Sequence, residues 1–244
     1  MSGPTAVGER VVVVTGAASG IGYATAELFR DLGDTVYGLD IKDTVPSGVT
    51  YLACDVASRA SVHAAITQAG DAQGRIDVLA NVAGVVLYGR FDSITDAEWD
   101  RAHAIDLKGP FMTMQEALPY LRACRGNIVN VSSVAGRIPQ GYTVGYSAAK
   151  GGLTHMTMSL ALELAPERIR VNCVCPGTVD TPLVAEVAEK LIEDADPRVA
   201  DRMMMMLPGR AIAPREIADS IAYLASPSAR MITGCVLAHD GGMS

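Results

Sequence analysis

The segment Val11–Gly22, VVVVTGAASGIG, sets four β-branched valines and a threonine directly ahead of three glycines. A short apolar run of this kind reads as a buried strand. Ile21, Ala24 and Leu28 then recur at helical spacing, so a helix follows the glycines. Glycine admits left-handed torsions and lets backbone come close to a ligand. A helix N-terminus presents free N–H groups and a partial positive charge, which suit a pyrophosphate. The spacing is T-G-x-x-x-G-x-G rather than G-x-G-x-x-G, and a tight turn alone would also account for it.

Working outward, apolar runs alternate with amphipathic segments. Strands are expected at Thr35–Asp40, Val49–Cys54, Ile76–Asn81, Gly126–Ser132, Arg170–Cys175 and Val236–His239. Helices are expected over Ser61–Ala69, from the capping box TDAE at Thr95–Glu98 through Cys124, over Tyr146–Leu164, and at PREIADSIAYLAS. Strands alternating with helices specify an α/β fold, a doubly wound parallel sheet with helices on both faces. All 244 residues fit one domain. Such sheets bind ligands at the carboxyl ends of their strands.

Composition narrows the function classes. The chain is 49% hydrophobic, 19% charged and 5% aromatic, a globular profile. A net charge of −7 argues against a nucleic-acid partner. No apolar run approaches the roughly 18 residues of a membrane span, so no membrane partner is expected. The start, MSGPTAVGER, lacks signal-peptide character. With five cysteines, an odd number, it points to reduced thiols and a cytoplasmic location. Cys173 and Cys175 share one face of a strand without a second pair, which reads as core packing and not as a metal site.

The strand ends carry the candidate chemistry. Asp40 closes the second strand, 18 residues after Gly22. A carboxylate there accepts hydrogen bonds from both adenosine ribose hydroxyls and repels a 2′-phosphate. Ala18 and Ile41 offer no cation to receive such a phosphate, although Lys42 stands close by. NAD is therefore favoured over NADP. Asp55, ahead of Val56, reads equally as a contact to the adenine edge or as a helix cap. Ser133 ends the fifth strand, and Tyr146 and Lys150 follow in YSAAK. Residues four apart share a helix face. An ammonium beside a phenol stabilises the phenolate, so the pair can exchange a proton with an alcohol or carbonyl oxygen.

Taken together, TGAASGIG, the Asp55–Val56 pair, NVAG at Asn81–Gly84, NVSS, YSAAK, RVNCVCPG at Arg170–Gly177 and DGG at Asp240–Gly242 resemble the short-chain dehydrogenase/reductase family over nearly the whole chain. The resemblance implies a Rossmann-type sheet of seven strands and an NAD(P)-dependent oxidoreductase acting on CH–OH groups. It implies that Ser133 polarises the substrate oxygen, that Tyr146 is the proton donor or acceptor, and that Lys150 holds the nicotinamide ribose and tunes Tyr146. It assigns Gly16, Ser19, Gly20, Ile21 and Gly22 to the phosphates, and Asp40, Asp55, Val56, Asn81, Ala83 and Gly84 to the adenosine side. Pro176, Gly177, Val179 and Thr181 frame the nicotinamide.

Asp106, in AIDLKGPF, departs from the family's usual asparagine, whose backbone carbonyl holds a relay water. Asp106 completes the expected catalytic set, with its carbonyl favoured over its carboxylate as the functional group. Residues 178–210 are expected to form a substrate lid, with Met203–Met206 as a polarizable wall. Val85, Val86, Ile138, Gln140 and Tyr142 are expected near the same cleft. The expected substrate is a small, apolar or modestly polar secondary alcohol or ketone. The alternatives are a 3-oxoacyl thioester reductase and a non-catalytic dinucleotide sensor. The apolar helices Asp96–Cys124 and Tyr146–Leu164 point to a homotetramer.

Overall fold

The computed structural model describes residues 9–189, 196–200, 207 and 210–244. The strands are β1 (Val11–Thr15), β2 (Thr35–Asp40), β3 (Thr50–Ala53), β4 (Val78–Asn81), β5 (Asn127–Val131), β6 (Arg170–Pro176) and β7 (Val236–His239). They form one parallel sheet of seven strands in the order β3-β2-β1-β4-β5-β6-β7.

The four valines explain why β1 lies at the centre. Val11 and Val13 pack on one face with Leu79, Ile128, Val171, Ile66 and Met112. Val12 and Val14 pack on the other with Phe29, Val129, Val174, Ile217 and Ile221. A strand covered on both sides has no polar face, so it reads as a continuous apolar run. The first face is covered by α2 (Arg59–Gln73), α4 (Gly109–Cys124) and α5 (Val144–Leu164); the second by α1 (Gly20–Asp31) and α8 (Pro214–Ala225). Connections run outward in opposite directions from β1 and β4, which makes the gap between their carboxyl ends the ligand crevice of a doubly wound sheet.

The helix expected from Asp96 to Cys124 is not continuous. Thr95 and Glu98 form the reciprocal capping box that starts α3 (Asp96–His103). A π turn then spans Ala104–Lys108 before α4 begins. Pro110 has no N–H, so the Asp106 carbonyl lacks its ordinary α-helical donor, and the chain widens locally.

The excursion after β6 is closed at its base. Val179 bridges Ile212, the Asp180 N–H donates to Ile212 O at 2.8 Å, and the Ile212 N–H donates to Thr178 O at 2.9 Å. It carries α6 (Pro182–Glu189) and the short α7 (Pro197–Ala200). Met203–Met206 lie outside the described residues. Among the described residues no helix is long and apolar enough to cross a membrane.

Candidate active site

The glycine loop is built around backbone contacts. Gly16 has φ +72°, and a methyl there would lie 2.8 Å from Ala83 Cα. Gly22 has no room for a Cβ against the Gly16 carbonyl. Thr15 Oγ1 accepts the N–H groups of Val82 at 3.0 Å and Ala83 at 3.1 Å, which ties the end of β4 to the end of β1. The role of Thr15 was not evident from the sequence; its position, last in the strand before Gly16, is the only signal. At Ser19, the N-cap of α1, the side chain caps nothing, and the first turn holds no acidic residue. The leading N–H groups of α1 therefore remain available to an anion.

From this loop a cleft of about 420 Å³ runs along the carboxyl ends of the strands, within the usual range for ligand sites. Gly16, Ser19, Gly20, Ile21 and Gly22 line one part of it, Asp40, Asp55 and Val56 one end, and Ser133, Tyr146, Lys150, Pro176, Gly177, Val179 and Thr181 the other. Asp40 is oriented by two backbone donors: the Ala18 N–H to Oδ2 at 3.0 Å and the Lys42 N–H to Oδ1 at 3.0 Å. Asp55 Oδ1 accepts the Ala57 N–H at 2.9 Å in the turn before α2, but the N-cap of that helix is Ser58. Ala83 and Gly84 line the cleft. Asn81 turns away from it. Its amide donates to Asn130 Oδ1 at 2.9 Å and its carbonyl oxygen accepts from Thr113 Oγ1 at 2.6 Å, in a buried network beneath the floor.

The end of β5 and the first turns of α5 converge on the proton-transfer group. Ser133 Oγ accepts the Ala135 N–H at 3.1 Å, and its hydroxyl favours the ionised form of Tyr146. Lys150 Nζ donates to Val131 O at 3.1 Å and lies 5.8 Å from the centre of the Tyr146 ring. Ser132 Oγ donates to Lys150 O at 2.9 Å, and Gly136 leaves space for this close approach of α5 to β5. Burial pushes the Tyr146 hydroxyl above its ordinary value, with Lys150 opposing that rise.

The Asp106 carboxylate also pairs with Lys150, in addition to the carbonyl that the π turn leaves without its ordinary α-helical donor. The side chain is wholly buried, and its Oδ1 lies 3.3 Å from Lys150 Nζ and accepts the Val85 N–H at 3.1 Å. Asp106 sits behind Lys150, outside the cleft lining, while Lys150 itself lines the cleft. Burial raises the Asp106 pKa, and Lys150 offsets part of that rise. Burial alone would lower Lys150, but Asp106 and Tyr146 outweigh it and the cation is favoured.

On the substrate side, Val85, Val86, Leu183 and Val184 line the cleft. Ile138, Gln140 and Tyr142 are not part of its lining. Tyr142 is a linker instead: its carbonyl accepts the Gly89 N–H at 2.8 Å and its hydroxyl accepts the Asp196 N–H at 3.0 Å. Its φ of +61° is unusual for a residue with a side chain. Arg101 and Ile105, not singled out in the sequence, also reach the cleft.

A family profile described as enoyl-(acyl carrier protein) reductase matches residues 16–244. The chain is 39% identical to cis-4-hydroxycyclohexanecarboxylate dehydrogenase of Sinomonas cyclohexanicum, covering 97% of each chain. It is 36% identical to a 3-oxoacyl-[acyl-carrier-protein] reductase of Thermotoga maritima, over 96% of this chain and 97% of that protein. The structure of aldohexose dehydrogenase from Thermoplasma acidophilum superposes with a TM-score of 0.88 at 37% identity, over 96% and 94% of the two chains. The chain belongs to the short-chain dehydrogenase/reductase family and has its Rossmann-type oxidoreductase fold.

Proposed function

We propose that the protein is an NAD-dependent oxidoreductase that interconverts a small secondary alcohol and its ketone. The observation that carries this reading is the convergence of Ser133, Tyr146 and Lys150 at the far end of a cleft that begins at the uncapped α1 N-terminus and Asp40. The α1 N–H groups suit the pyrophosphate, Asp40 the adenosine ribose, and Lys150 the nicotinamide ribose. When bound, the dinucleotide supplies or accepts the hydride. The protein positions the substrate oxygen between the Ser133 and Tyr146 hydroxyls. In oxidation the Tyr146 oxygen takes the alcohol proton; in reduction it returns one to the carbonyl oxygen. The mainly apolar wall of Val85, Val86, Leu183 and Val184 favours an apolar or modestly polar substrate. The setting is cytoplasmic.

A second reading, a 3-oxoacyl thioester reductase, draws support from the Thermotoga maritima relative. The net charge of −7 weighs against it, because acyl carrier proteins are themselves acidic. A panel of secondary alcohols with NAD, run beside a 3-oxoacyl thioester with NADH and NADPH, separates the two. Tyr146→Phe should lower turnover by about 10²–10⁴-fold while NADH binding stays near wild type. Full activity in that variant would overturn the role given to Tyr146, whereas NADH binding without turnover of any substrate by the wild-type protein would put a non-catalytic, dinucleotide-sensing role first.

A further inference from the structure

We infer that Asp106 is a positioning residue that acts as the buried counter-ion of Lys150 and so poises the site to donate a proton to a carbonyl oxygen more readily than to take one from an alcohol. The inference rests on the functional reading above and adds to it the direction in which the resting site is set.

The geometry carries the argument. Asp106 and Lys150 side chains are 0% and 5% exposed, with 3.3 Å between Oδ1 and Nζ. Asp106 Oδ2 has no hydrogen-bond partner among the described residues. The carboxylate is closed off from bulk solvent, and its protein partners are the Val85 N–H and Lys150. Gly84 makes the arrangement possible, because a methyl there would lie 2.7 Å from Oδ1.

The π turn contributes only Asp106 to the cluster, and α3 contributes the more weakly acting His103. Around the Tyr146 hydroxyl, Lys150 on the same helix favours the phenolate, as does the Ser133 hydroxyl beyond the end of β5. Burial, Asp106 and Cys175 on β6 oppose it. With an uncharged side chain at position 106, the lysine cation would act on the phenol alone. With a carboxylate there, its charge offsets part of the ammonium's pull on the tyrosine oxygen. Reduction needs the phenol: a hydride reaches the carbonyl carbon, the Tyr146 proton reaches the oxygen, and the phenolate recovers a proton from solvent. Oxidation needs the phenolate, which this charge balance disfavours near neutrality.

The test is a titration of Tyr146 in the full-length protein by ultraviolet phenolate absorbance. Subtracting Tyr146→Phe removes the other tyrosines of the 8 in the chain. Asp106→Asn keeps the shape and removes the charge. Its Tyr146 midpoint should fall by about one pH unit or more, a roughly tenfold change in acid constant. The pH of half-maximal alcohol oxidation should fall with it. Asp106→Ser gives the same readout if the asparagine variant folds poorly. A midpoint unchanged or raised in the folded variant would overturn the inference. The titration needs no substrate, so failure to oxidise any alcohol would count against the functional reading and not against this charge balance.

Discussion

Gly84 packs against Asp106 so closely that a methyl on its α-carbon would stand 2.7 Å from Oδ1 and 3.3 Å from Lys150 Nζ. The fourth residue of NVAG thus has a physical reason to be glycine, although no left-handed torsion is required there. The Asp106 side chain would have to give way, yet it is buried and held by the Val85 N–H. Gly84→Ala should therefore push the carboxylate off Lys150. The expected result is a loss of about tenfold or more in kcat/KM, with about 1–3 kcal/mol of destabilisation from overpacking. Wild-type kinetics in Gly84→Ala would show that the pair tolerates displacement.

Asp40 is fixed by the Ala18 and Lys42 N–H groups, so its carboxylate is preorganised for the two ribose hydroxyls. Asp40→Ala removes both that contact and the repulsion of a 2′-phosphate. The ratio of kcat/KM for NAD over NADP should drop by about ten- to a hundredfold, the value of one or two hydrogen bonds to a charged group. Lys42 lines the same end of the cleft and would then be free to attract the phosphate. Wild-type protein that uses NADP as well as NAD would refute the preference at once.

Quaternary structure follows from the outer surface of α4 and α5. Phe111 is 44% exposed and Leu162 80% exposed, on helices whose inner faces already fill one core. Exposed large apolar groups on neighbouring long helices suit a two-fold contact between copies. Light scattering at micromolar concentration should give about four times the 25.5 kDa chain mass. A monomeric mass would sink this expectation.

Periodicity and strand-end chemistry made most of this legible in the sequence. The VVVV run specifies a strand buried on both faces, and the structure places alternate valines in two separate cores. Tyr146 and Lys150 could be paired because a four-residue spacing fixes a shared helix face, and Ser133 because it follows the fifth strand. Asn81 was not, because strand position alone does not say whether an amide faces the cleft or the core. There Thr113 and Asn130, distant in sequence, take up its polar atoms. The break at Ala104–Lys108 depends on a missing N–H at Pro110, which a hydrophobic pattern does not encode. That the Asp106 carboxylate reaches Lys150 depends on the packing of α5 against β5, which no local pattern encodes.

Arg10 shows the same limit for stability. In the sequence it is merely the charged residue before VVVV, yet it is buried against Asp34. Arg10 Nη2 donates to Asp34 Oδ2 at 2.5 Å and Nε to Oδ1 at 3.1 Å, and the guanidinium lies 5.3 Å over the Phe29 ring. The pair clamps the start of β1 to the turn ahead of β2, far from the cleft. Arg10→Met removes the cation beside a buried carboxylate that keeps the backbone N–H of residue 10, which costs about 3–5 kcal/mol. Combining it with Asp34→Leu removes the buried charge as well and should recover much of that loss. Urea unfolding at fixed protein concentration, read as a midpoint with unchanged slope, measures both. Because neither residue touches the cleft, kcat/KM at low temperature should stay near wild type in folded protein. A single-variant cost below about 1 kcal/mol, typical of surface pairs, would show that the buried clamp contributes little to the fold.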